Sequence, residues 1–215
     1  MPLKVLPANE DDAPRAVAIE KIAYGPSPVS AVLFPGPSSS ENDTRAADLA
    51  ELLHNNPACR WAKVVDTDLD EDNMIAFTMW YIWETPPKDS SFSSYRGPSC
   101  NPKACELFFG GMNRMRLELM DGKAYAYLKL LHTDPKHQRR GAASLLTEWG
   151  LKEADRLGIP AFLESSDQGK ALYERFGFYE ADRLTVDFSP WGGPSEVSVP
   201  LMLRPVGGRE TASKP

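Results

Sequence analysis

Residues Leu130 to Ala143 read LLHTDPKHQRRGAA. The chain from Ala124 to Thr133 alternates as a strand does, and Pro135 stops it. The apolar spacing from Arg140 to Leu157 then predicts an amphipathic helix, closed by Gly158. A tight loop between strand and helix turns successive backbone N–H groups outward at the helix start. Those amides and the positive end of the helix dipole make an anion site suited to a diphosphate. Gly141 lets the backbone approach closely, and Arg139 and Arg140 add charge. Neither a Walker loop nor a GxGxxG fingerprint is present.

Downstream, Ile159 to Ser165 reads as a buried strand and Lys170 to Phe176 as a short helix ended by Gly177. Phe178 to Phe188 and Val197 to Leu203 read as closing strands. Upstream, Arg60 to Asp66 and Met74 to Trp83 form a hairpin across the acidic turn Asp68–Asn73, after a short strand at Lys4–Leu6. A helix with Pro14 in its first turn carries Val17, Ile19, Ile22 and Ala23. A second, with Asp43 as N-cap, carries Leu49, Leu52 and Leu53 and ends at Pro57. A third spans Lys103 to Met120, despite Gly110–Gly111. Gly25 to Ser40 and Glu84 to Pro102, rich in Pro, Gly and Ser, read as loops. This order predicts a mixed α/β (α+β) sheet, with antiparallel hairpins around a parallel, right-handed βαβ unit and helices flanking it. The expected organisation is a single domain over residues 1–206 with a disordered tail at 207–215.

Composition narrows the function. At 215 residues with 42% apolar and 25% charged side chains, the chain can bury a real core. Its net charge of -6 gives none of the overall basic footprint of a nucleic-acid binder and suits cationic partners such as amines. The longest apolar run, Met74 to Trp83, is broken by Thr78 and is about half of the roughly 20 residues that a membrane helix needs. No signal-peptide pattern opens the chain, and Cys59, Cys100 and Cys105 show no CxxC spacing. The expectation is a cytoplasmic protein with reduced thiols, no membrane partner and no nucleic-acid partner. No His and carboxylate spacing suggests a metal, so none is expected.

QRRGAA at Gln138–Ala143, followed by Ser166 and by ALYERFGF at Ala171–Phe178, resembles the paired signatures of the GNAT superfamily of N-acetyltransferases, a Q/RxxGxG/A turn and an Asn-then-LYxxxGF ending. The resemblance is close over about residues 70 to 180 and is strongest to fungal-type members of unassigned substrate. It implies the GNAT fold and acetyl-CoA as co-substrate. Backbone amides of Leu131, His132 and Thr133 would bind the pantetheine and polarise the thioester carbonyl. Gln138, Arg139, Arg140, Gly141, Ala142, Ala143 and Ser144 would hold the diphosphate, Ser166 would hydrogen-bond the cofactor, and Tyr173 would protonate the departing thiolate. Ala143 stands where a second glycine is usual, and Ser166 where Asn is common.

The acceptor side is less legible. A protonated amine must lose a proton before it can attack a thioester. Glu164 is the candidate base, with Glu84, Asp134 and a water chain as alternatives. Tyr125, Tyr127 and Lys129 are expected to share a face with Leu131. Tyr24, Trp80, Trp83 and Glu84 are candidates for the acceptor pocket, beside Tyr81 and Phe34. The expected reaction is acetyl transfer to the primary amine of a small molecule, by direct attack in a ternary complex. A protein or peptide amine as acceptor, or a non-catalytic acyl-CoA-binding module, stands as the alternative. A homodimer through the sheet edges stays open.

Overall fold

In the computed structural model, which describes residues 2–25, 27–36, 44–70, 73–87 and 100–208, the alternating segments join one seven-stranded sheet. Its strands are β1 (Leu3–Pro7), β2 (Cys59–Asp66), β3 (Met74–Trp83), β4 (Tyr125–Thr133), β5 (Ala161–Glu164), β6 (Tyr179–Val186) and β7 (Val197–Arg204), in the spatial order β1-β2-β3-β4-β5-β7-β6. Only β4 and β5 run parallel, joined by α6 (Ala142–Leu157); the remaining neighbours are antiparallel. This is the mixed sheet with flanking hairpins that the sequence predicts.

The parallel pair is short and then opens. Ala126, Tyr127 and Leu128 pair with Ala161, Phe162 and Leu163, whereas β4 continues against β3 as far as Thr133. One edge of β4 beyond Leu128 therefore has no strand beside it among the described residues.

A β-bulge sits at that fork. Met79 pairs with Leu130 and Trp80 with Leu128, leaving Lys129 out of register. The extra residue reverses the alternation that follows, so Leu130 packs with Tyr125 and Tyr127 on one face while Leu131 packs beneath α6 on the other. Leu131 thus does not share a face with Tyr125 and Tyr127, because strict alternation assumes a ladder without insertions.

α1 (Ala13–Tyr24), α3 (Arg45–Asn55) and α5 (Gly111–Met120) cover the Tyr127 face, and α6 and α7 (Asp167–Glu174) the other. α6 lies very close to the sheet: a Cβ added to Gly150 would stand 2.1 Å from the indole of the buried Trp80.

Three local readings change. Pro28–Leu33 in the expected first loop is a helix, α2, because Ser27 accepts a hydrogen bond from the Ser30 amide and Pro28 occupies a first-turn position that needs no N–H. The expected helix Lys103–Met120 is interrupted: α4 (Pro102–Cys105) and α5 are joined by a π-helical turn at Glu106–Gly110. Asp43, read as the cap of α3, lies outside the described residues, as do the middle of the acidic turn, most of the second loop and residues 209–215.

Candidate active site

The Leu130–Ala143 loop is braced from below. The Asp134 carboxylate, almost fully buried, accepts from Arg15 Nη2 at 3.1 Å and from the Lys136 amide at 3.0 Å. Arg15 also donates through Nε to the Met74 carbonyl at 3.1 Å, tying the loop to α1 and β3. Asp134 is therefore a strut rather than a free base. Arg140 Nη2 lies 2.7 Å from Asp66 Oδ2, whose side chain is 3% exposed, and Arg140 Nη1 lies 3.0 Å from His137 Nδ1. This hydrogen bond holds the Asp66 carboxyl below the usual range. Arg140 is thus spent on fixing the loop.

With its side chains so occupied, the loop presents main chain. Arg139 has φ of 59° and Gly141 φ of 94°, a left-handed pair that turns the chain into α6. Gly141 is the N-cap and gives no side-chain cap, so the first amides of α6 have neither a side-chain acceptor nor a carbonyl one turn back. Uncapped amides at the positive end of a sixteen-residue helix fit an anionic ligand of the diphosphate class.

Across the fork stands α7. Ser166 caps it by accepting from the Gly169 amide at 3.1 Å, and Gly169 is small enough for the Tyr173 ring to approach. Tyr173 packs edge-on against Phe178 at 5.9 Å. Burial raises its pKa, and the Tyr24 phenol pushes in the same direction, so the hydroxyl keeps its proton at neutral pH.

The Tyr127 face carries a polar cluster within an aromatic wall. The Tyr127 hydroxyl donates to Glu164 Oε2 at 2.7 Å and accepts from Lys129 Nζ at 3.3 Å. The Arg116 guanidinium lies 4.3 Å above the Tyr127 ring and 3.5 Å from Glu164 Oε1. Arg116 is 2% exposed and Tyr127 fully buried, so these charges are held away from water, where each interaction is stronger and each unpaired group more costly. Glu20 and Arg45 add a two-pronged pair at 2.8 and 3.0 Å on the same side. His132 is 5% exposed, its Nε2 has no hydrogen-bond partner, and Tyr24 meets its ring edge-on at 5.0 Å. Burial lowers the His132 pKa, favouring the neutral ring.

The predicted residues are brought together unequally. Leu131, His132 and Thr133 line the open edge of β4, with Glu164 at the end of β5, Tyr173 and Ser166 on α7, and Tyr24 over His132. Trp80 does not join them: it is fully buried against Gly150, on the opposite face of the sheet. Trp83 pairs with Tyr125 at the far end of β4 and stacks on Tyr81 at 5.2 Å, inside the aromatic wall. Glu84 is exposed and acts electrostatically on Arg156, which lies at the C-terminal end of α6. Period-two alternation puts Trp80 and Trp83 on opposite faces of β3 but cannot say which of those faces meets α6. The sequence reading gave no role to Arg116, Asp66 or Arg15, since nothing local marks them. Tyr127 and Lys129 did stand out as one face, but without a function.

Residues 30–178 match the family model "Acetyltransferase (GNAT) family". This chain belongs to the GNAT acetyltransferases. It is accordingly an acyltransferase, and GNAT enzymes generally use acetyl-CoA as co-substrate. Among solved structures, a mosquito protein described as arylalkylamine N-acetyltransferase like 5b is similar with a TM-score of 0.64 at 10% identity, over 94% of this chain and 99% of that one. A Corynebacterium glutamicum structure described as histone acetyltransferase HPA2 and related acetyltransferase gives 0.62 at 20% identity, over 96% and 97%. Arabidopsis thaliana NAA60, bound to a bisubstrate analogue, gives 0.55 at 16% identity, over 94% and 96%. At such identities these GNAT neighbours speak for the fold alone. A curated Ajellomyces capsulatus protein, "Probable acyltransferase SID5", is 39% identical over 41 residues, a match spanning 19% of this chain and 30% of that protein. No described helix is long and apolar enough to cross a membrane.

Proposed function

We propose that this GNAT enzyme transfers the acetyl group of acetyl-CoA to the primary amine of a small molecule, by direct attack within a ternary complex. The observation that carries this reading is the fork between β4 and β5, which sets the uncapped amides of α6, the protonated Tyr173 and the Glu164 carboxylate around one opening. The amides of Gly141 to Ser144 hold the diphosphate, with Gln138 and Arg139 at its edge and Arg140 bracing the turn from behind. The freed edge of Leu131–Thr133 pairs with the pantetheine and turns an N–H toward the thioester carbonyl, where negative charge grows as the amine adds. Ser166, its oxygen engaged in capping α7, still offers its hydroxyl proton to the cofactor.

Tyr173 gives its proton to the sulfur as the carbon–sulfur bond breaks. Glu164, on the acceptor side, receives the proton that the amine gives up. Tyr24, edge-on to His132 and largely exposed, stands at the rim of the acceptor side, and the chain's net charge of -6 favours a small cationic amine.

The test is a screen for thiol release from acetyl-CoA across amino sugars, polyamines, arylalkylamines and amino-acid amines, with peptides bearing free amines as a parallel arm. Acetylation of at least one small amine is the expected result. Turnover confined to the peptides would replace this acceptor class. Tight acetyl-CoA binding without any turnover would replace the catalytic reading with a binding module.

A further inference from the structure

Resting on the acetyl-transfer reading, the structure assigns the acceptor's proton a route: Lys129, Tyr127 and Glu164 form a hydrogen-bonded wire whose outer end, Lys129, takes the proton from the incoming amine. Tyr127 has one O–H, and it points to Glu164 Oε2 at 2.7 Å. Its lone pairs are thereby left for Lys129, whose ammonium donates to the same oxygen at 3.3 Å. The donors run in one direction, from Lys129 to the carboxylate. Tyr127 is fully buried, so no water competes at the middle of the wire, while Lys129 is half-buried. The bulge places Lys129 where the pairing of β4 with β5 has just ended, at the mouth of the fork.

The surrounding charges suit a lysine that gives up its proton. Burial pushes the Lys129 pKa down, and the like charges of Arg116 and Arg45 push the same way, against Glu164 and Glu20. Tyr125 and Arg116 are the other titratable or charged neighbours of the wire. The Glu164 Oε1 oxygen is buried without a hydrogen bond, 3.5 Å from the Arg116 guanidinium.

The steps balance. Lys129 passes a proton to the Tyr127 oxygen as the Tyr127 hydrogen passes to Glu164, leaving an uncharged Lys129 amine and a neutral carboxyl. Lys129 Nζ then takes one proton from the acceptor ammonium. The freed lone pair forms the carbon–nitrogen bond at the thioester carbonyl. The carbon–sulfur bond breaks, and the departing thiolate takes the Tyr173 proton. The remaining extra proton on nitrogen restores Tyr173, and Glu164 later loses its proton to water.

Two variants test the wire. Tyr127→Phe keeps the ring beneath Arg116 but removes the oxygen. Lys129→Arg keeps a charged donor that holds its proton throughout the working range. Each is expected to bind acetyl-CoA in calorimetry as the wild type does, and to lose about 100-fold in kcat/KM for a primary amine at pH 7. The loss should shrink steadily as the pH rises and nearly vanish near pH 10, where the acceptor is already neutral. A wild-type rate and pH profile in Lys129→Arg, or an equal loss at every pH with cofactor binding intact, overturns the wire. Lys129→Arg decides alone if Tyr127→Phe does not fold. Wild-type enzyme that acetylates no amine would sink the acetyl-transfer reading itself, an outcome distinct from either variant result.

Discussion

The two ends of the cleft are built by opposite means. The end that we propose for the diphosphate is one continuous stretch, Leu130 to Ser144, which offers backbone amides and ties Arg140 and Asp134 into struts with Asp66 and Arg15. The end that we propose for the acceptor is assembled from side chains on α1, α3, α5, β4 and β5, more than a hundred residues apart from Glu20 to Glu164. Main-chain recognition tolerates changes of side chain but not of backbone conformation. A side-chain cluster behaves the other way, and its chemistry resides in individual oxygens and nitrogens.

That contrast predicts which measurement each substitution moves. The largest effect belongs to Tyr173→Phe, which should lower kcat by roughly 10²–10⁴-fold while acetyl-CoA binding stays within about threefold of wild type; a parallel loss of binding in calorimetry would merge the two ends. Gly141→Val forces a branched residue to φ of 94°. The strain of about 1–2 kcal/mol should weaken acetyl-CoA binding on the order of tenfold. The acceptor's dependence should stay unchanged once cofactor saturates, and a changed KM for the amine would show that the ends communicate.

Gly150→Ala sharpens the same point from below. Its new methyl meets the Trp80 indole inside a packed interface, so α6 must shift, costing about 1–3 kcal/mol and several degrees of Tm by calorimetric scanning. Cofactor binding should weaken with it, since α6 carries the amides; an unchanged Tm would mean that Trp80 is free to move.

The smallest effect concerns acid stability. Glu180 bonds Lys170 at 2.6 Å and Arg183 through both oxygens at 2.6 and 2.8 Å, which brings its pKa down to about 2. A depressed carboxyl stabilises the fold above its unfolded pKa of about 4.3, and that contribution fades as the pH falls through the folded value. Denaturant titrations should therefore show stability lost between about pH 4.3 and pH 2. Glu180→Gln should be less stable at neutral pH and flatter across that window; identical slopes would remove Glu180 from the clamp on α7.

Much of the fold was legible because its signals are local. Pro135, Gly141 and Gly158 punctuate strand, turn and helix in sequence, and the alternation before Thr133 names the central strand. The α2 helix escaped because Pro28 reads as a breaker unless Ser27 is seen to cap it. The turn that we propose for the diphosphate is marked residue by residue in the sequence, whereas the tie of the Arg140 guanidinium to Asp66 on β2 is not, because no spacing reveals it. Among the acceptor candidates, Glu164 and Tyr24 lie at the fork while Trp80 faces α6.

By itself the sequence determined the strand, turn and helix whose junction leaves uncapped backbone amides, because φ/ψ preferences and helix polarity act between near neighbours. Only the tertiary structure decided the buried polar face around Tyr127. One inserted residue at Lys129 sets which side chains turn toward the fork, and the energies of buried charges depend on partners that the chain brings together only when it folds.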